Sequence, residues 1–104
     1  MREVKRGSSY EFSVGLRNVT DLSGYSCLVQ LRNASDDTLI ASSSVSPVAS
    51  AEYGQVFPVR MTDTQSQTLE IGKQYTLAAE ISDGTGFSKE ECRTIKILKD
   101  CVYT

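Results

Sequence analysis

Two pairs of adjacent acids, Asp36-Asp37 and Glu90-Glu91, and three cysteines, Cys27, Cys92 and Cys101, are the side chains of this 104-residue chain most suited to chemistry. A carboxylate pair can divide acid and base duties across a glycosidic bond, and a thiolate can attack an acyl group when a base stands beside it. The chain has no histidine, so the usual base of serine and cysteine nucleophiles is missing, as is the commonest nitrogen ligand of zinc. The three cysteines also lack metal-ligand spacing. Successive residues of a strand point to opposite faces, which separates Glu90 from Glu91, and Asp36-Asp37 falls in a polar turn. Asp83-Gly84-Thr85-Gly86 superficially matches the aspartic-protease triplet and a glycine-rich phosphate loop. A protease of that kind needs a second carboxylate in a much larger cleft, and a phosphate loop needs a strand-to-helix context with more glycines. The segment reads as a hairpin turn. No catalytic, cofactor-binding or metal residue is assigned, no cofactor is expected, and the chain reads as a non-enzyme.

The elements that position these groups are strands. Tyr10, Phe12, Val14 and Leu16 alternate with polar residues, as do Tyr25, Cys27, Val29 and Leu31, then Tyr53, Phe57, Val59 and Met61, then Tyr75, Leu77, Ala79 and Ile81. Period two is the signature of half-buried strands. Residues 33–37 supply hairpin turn chemistry, and the chain returns through 38–44. Val19 and Leu22 are expected to plug the loop between the first two strands. Residues 42–51, serine-rich and interrupted by Pro47, read as a crossover between sheets, and Pro58 suggests an edge strand or a bulge. Threonine followed three residues later by glutamine, at Thr62/Gln65 and Thr64/Gln67, predicts a short helical turn near residues 63–69. Gly72 then leads through Tyr75 into the fourth alternating run. A tyrosine in that place marks the corner before strand F of an immunoglobulin-like sandwich, two residues ahead of the cysteine of antibody domains, and Leu77 stands where that cysteine would be. The reading is an all-β chain: a single immunoglobulin-like β-sandwich of about seven strands spanning residues 1–104, its structural corner formed by Gly72 and Tyr75.

Charge and cysteine placement narrow the partners. A net charge of −2 offers no basic stripe for phosphates, so no nucleic-acid partner is expected. No apolar run approaches the ~18 residues of a membrane span, and residues 1–6 lack the apolar centre of a secretory signal. The chain therefore reads as complete, soluble and made in the cytoplasm. Cys27 shares phase with core residues whereas Cys92 is out of phase with Ile95 and Ile97, which disfavours a bridge between them and fits reduced thiols. Cys101, near the C-terminus, is placed to cross-link subunits if exposed. Asn18-Val19-Thr20 and Asn33-Ala34-Ser35 match the glycosylation sequon, but both asparagines sit where turns want them.

Three segments resemble small immunoglobulin-like β-sandwich virion proteins of tailed bacteriophages, of the tail, baseplate and fibre-collar type. KRGSSYEFSVGL (residues 5–16) is similar to a basic-Gly-polar-polar lead into an alternating strand. TDLSGYSCLVQLR (20–32) is similar to an Asp-Leu-Thr-Gly loop followed by a strand ending in arginine, with Ser23 in place of the threonine. In residues 61–81 a threonine- and glutamine-rich turn precedes leucine, glycine, tyrosine and strand, although two residues separate Gly72 from Tyr75 where the family more often has one. The resemblance implies a virion structural protein, made in the host cytoplasm, that assembles with copies of itself into a ring or other symmetric oligomer. It would join tail, collar or baseplate components, with no catalytic residues to carry over. Interface candidates are Met1, Arg2, Pro47, Cys101 and Tyr103, within an N-terminal segment 1–5, the crossover 42–50 and the tail after Leu98, all expected to be little constrained by the core. The alternatives are a capsid decoration protein and a carbohydrate- or receptor-binding module, for which Tyr53 and Tyr103 would be the aromatic candidates. An enzyme would have to rest on Asp36 or Glu91.

Overall fold

A computed structural model describes residues 2–17, 19–86 and 88–99. Met1, Asn18, Cys101 and Tyr103, and with them one sequon and three of the interface candidates, lie outside the described residues. Eight strands and one short helix follow in order: β1 Arg2–Lys5, β2 Tyr10–Val14, β3 Ser26–Asn33, β4 Leu39–Val45, β5 Val48–Ser50, β6 Gly54–Met61, α1 Asp63–Gln67, β7 Gln74–Ser82 and β8 Ser88–Leu98. They form a five-stranded sheet of order β1-β8-β7-β3-β4 and a three-stranded sheet of order β2-β6-β5. In immunoglobulin terms β3, β7 and β8 take the places of strands C, F and G, while β2, β6 and β5 take those of B, E and D. The chain is an immunoglobulin-like β-sandwich.

The alternation read from the sequence becomes the inner faces of the two sheets. Cys27, Val29 and Leu31 of β3 stand opposite Ile81, Ala79 and Leu77 of β7, and Tyr75 stands opposite Ile95 of β8. All of them belong to one core with Val14, Phe57, Val59 and Met61 from the facing sheet. Leu22 is fully buried beneath the loop it plugs, and Val19 packs against the core. Leu77 and Val14, on the strands that an antibody domain joins by its inter-sheet disulfide, are here both core aliphatics. Packing takes the place of the bridge.

Several expectations need correction. Residues 2–5 are not a loose lead: they form β1, parallel to β8 in register Val4↔Ile97, and Val4 is only 6% exposed. The crossover is shorter than 42–51, because β4 runs to Val45 and β5 begins at Val48, leaving Ser46 and Pro47 to change sheets. Pro58 sits in β6, the central strand of the smaller sheet, opposite Ser13. It is tolerated because β5 pairs only as far as Val56; at Pro58 the strand has one neighbour, and the missing N–H costs no second ladder. The first alternating run ends at Val14, two residues early, where Gly15 precedes a turn closed by a Leu16↔Val19 bridge. Tyr53 lies in the turn before β6 and is 59% exposed.

The helical turn and the tyrosine corner lock one end of the sandwich. Thr62 caps α1, its hydroxyl accepting from the Gln65 N–H at 3.1 Å while the Gln65 side chain accepts from the Thr62 N–H at 2.9 Å, a reciprocal capping box. Ser66, fully buried, accepts from the Gly7 N–H at 2.7 Å and ties α1 to the β1–β2 turn. The buried Tyr75 hydroxyl accepts from the Glu70 N–H at 2.9 Å. Gly72 adopts φ 86, a left-handed conformation that favours glycine, and its N–H donates to Ile97 O at 2.7 Å.

Candidate interaction surface

The side chains with chemical potential lie apart. Asp36 and Asp37 shape the β3–β4 hairpin: the Asp36 carboxylate accepts from the Thr38 N–H at 3.0 Å, and Asp37 holds φ 61. Hydrogen bonding to Thr38 keeps the Asp36 carboxyl below its ordinary range, the wrong direction for a proton donor near neutrality. On β8, Glu91 pairs with Arg93 at 2.6 Å, and that bond holds its carboxyl low as well. Glu90 faces the other way and accepts from the Cys92 Sγ at 3.4 Å. Burial pushes the Cys27 thiol up to about 11. Burial, then the bond to Glu90, raises the Cys92 thiol too. Neither thiol is poised as a thiolate, and neither is in a disulfide. Among the described residues no group of three or more Cys, Asp or Glu is arranged to hold a metal ion, and no helix is long and apolar enough to cross a membrane.

Three surfaces remain. The first is an open cleft of about 660 Å³ at the loop end of the sandwich, lined by Arg17, Val19, Glu52, Tyr53, Val56 and Lys89 among others. It is shaped by close backbone approach: a Cβ on Gly54, at φ 84, would stand 2.8 Å from Thr20 Cβ and O. The Leu22 N–H donating to Gln55 Oε1 at 2.6 Å, and Lys89 Nζ donating to Gly15 O at 3.2 Å, hold its walls. The second is a shallow groove of about 370 Å³ on the outer face of the five-stranded sheet. Its floor is low because Ala78 lies between Cys92 and Gln30 in register. Glu80 and Glu90, directly opposite each other, make one end acidic. Arg32 makes the other basic, its guanidinium held by Gln30 Oε1 and Asp37 O.

The third is the free edge of β4. Its sequence, LIASSSV, carries no charge and no proline over seven residues, and Leu39 and Ile40 are 48% and 42% exposed. Leu28, beside it on β3 opposite Ser44, is 38% exposed, and Val48, just past the sheet change, is 47% exposed. Four of the six large apolar side chains that are exposed among the described residues thus gather along or next to one edge. Exposed edges of this kind are templates for another strand, and proteins ordinarily blunt them with charge, proline, brevity or a bulge; of these β4 has only the register shift at Ile40.

The interface residues named from the sequence fall at distant places. Arg2 lies on β1 at one edge of the large sheet, its guanidinium 5.7 Å from the Tyr10 ring centre. Pro47, half-buried, follows β4 at the opposite edge. Gly72 and Tyr75 come together at the corner. The open edge itself was missed as such, although the signal was present: a run from Leu39 to Val45 without one charged residue. No known protein family matches the chain, and no curated protein is significantly similar to it.

Proposed function

We propose that this chain is a structural subunit of a tailed-bacteriophage virion, a β-sandwich that assembles with copies of itself and joins tail, collar or baseplate components. The observation that carries the assembly reading is the uncharged edge of β4 with exposed Leu39 and Ile40, since backbone pairing at such an edge gives affinity without a dedicated pocket. The virion part of the reading rests on the three resembling segments. Antibody labelling of intact particles in electron micrographs tests it: label at tail, collar or baseplate supports the proposal, label over the head favours the decoration role, and unlabelled particles overturn it.

A second reading, a carbohydrate- or receptor-binding module, draws on the loop-end cleft, where exposed Tyr53 adjoins Glu52 at the lining. A ring face beside a carboxylate is a recurrent sugar platform in physical terms, one stacking and the other accepting hydrogen bonds. Glycan-array binding by the purified chain that Tyr53→Ala abolishes would favour it, and a blank array removes it.

A further inference from the structure

We propose that two copies of this chain join by antiparallel pairing of β4 with β4 about a two-fold axis through Ser42, merging two five-stranded sheets into one. This rests on the self-assembly part of the reading above and specifies its contact.

The hydrogen-bond phase of the edge points to this register. In an antiparallel ladder, successive residues direct their backbone groups alternately to one neighbour and to the other. The Asn33 N–H donates to Thr38 O at 2.9 Å, on the β4 side, and the Ala34 N–H donates to Gln74 O at 3.1 Å, on the β7 side. Alternation back along β3 makes Leu31, Val29 and Cys27 the residues bonded to β4, where they face Ala41, Ser43 and Val45. The N–H and C=O of Ser42 and Ser44 are therefore aimed at the open edge. Pairing 41–43 against 43–41, within the regular stretch that ends at the register shift by Ile40, puts Ser42 opposite its own copy, and Ser42 is one of the outward-directed residues. The centre is then a hydrogen-bonded pair, and about two to four inter-copy bonds form.

The side chains agree with that axis. Ala41 comes opposite the second copy's Ser43, and Ser42 opposite its own copy; one residue further the register shift at Ile40, which stands between the partners of Leu31 and Arg32, ends the regular ladder. No charge opposes a like charge, because Asp37 comes level with Pro47 and β4 itself is neutral. The other edges do not offer this. Arg2, Glu3 and Lys5 occupy three of the four positions of β1, β2 has five residues with Glu11 among them, and β5 has only three. The facing sheet does not obstruct the partner strand: Ser43, on the inner face of β4, remains exposed.

Sedimentation velocity on the full chain across micromolar concentrations tests the contact. The wild type is expected at twice the chain mass. Ser42→Lys, which sets two ammonium groups face to face on the axis, is expected to bring it to the chain mass at concentrations at least a hundredfold higher. Its melting temperature in dilute solution, where both proteins are monomers, should match the wild type, because the substituted side chain is exposed and its N–H is not used by β3. Ser42→Thr, uncharged and a good strand former, should keep the dimer. A wild type that associates while Ser42→Lys leaves its mass unchanged overturns the β4 contact and leaves self-assembly standing. A wild type at the chain mass throughout overturns both.

Discussion

The two edges of the five-stranded sheet, β1 and β4, solve the same physical problem in opposite ways. Both present one side without a neighbour. β1 is short, charged at three of four positions and pinned by a single buried side chain, Val4, against β8. β4 is nearly twice as long, uncharged, and bordered by exposed Leu28, Leu39 and Ile40. The first has charge and brevity to discourage another strand, whereas the second is neutral and long, its one irregularity being the register shift at Ile40. An edge can thus be held by the core and closed to partners, or held by its ladder and open to them.

The largest expected effect separates the two sides of β4 itself. Ala41→Pro removes an N–H directed at β3 and should cost roughly 2–4 kcal/mol in urea unfolding. Ser42→Pro, one residue on, removes an N–H directed outward and should cost the monomer less than about 1 kcal/mol while abolishing dimer. Equal losses at the two positions would show that the ladder phase is wrong. Next comes the anchor of the other edge: Val4→Ala should lower stability by about 1–2 kcal/mol with no change in solution mass. A mass change there would transfer self-association to β1.

Smaller effects probe the charge contrast. If the contact lies on a neutral edge, the dimer dissociation constant should change less than about threefold between 0.05 and 0.5 M salt, measured by sedimentation, because exposed charges are what salt screens. A steep salt dependence would point to the β1 side. Smallest of all is the Glu91–Arg93 pair on β8, next to the charged edge. The Glu91 carboxyl is held below its ordinary 4.5 by hydrogen bonding to Arg93. Its contribution is therefore present above that value and lost as pH falls through the lowered one. For so exposed a pair it amounts to a few tenths of a kcal/mol. Thermal melts of wild type and Glu91→Gln should converge as pH drops from 5 to 3; a constant gap would remove the ion pair as its cause.

How much of this was legible in the chain follows from the range of the forces involved. The runs through Phe12, Val29, Val59 and Leu77 were readable because each strand reports its own buried face residue by residue. The cap at Thr62 and Gln65 was readable because its donors and acceptors lie within one turn. β1 was not, because four residues with one apolar side chain carry no period, and its partner β8 begins more than eighty residues later in the chain. β5 was not, being three residues long. Pro58 misled because its tolerance depends on how far β5 extends beside it. The interface residues Arg2 and Pro47 could be named, but not that the fold sends them to opposite edges.

By itself, the sequence determined which residues turn inward, where the chain bends and how its one helical turn is capped, because those depend on neighbours within a few positions. Only the tertiary structure decided which strands lie at an edge and which of their backbone groups point into open space. That choice depends on strand order, and strand order is set by the packing of distant segments against a common core.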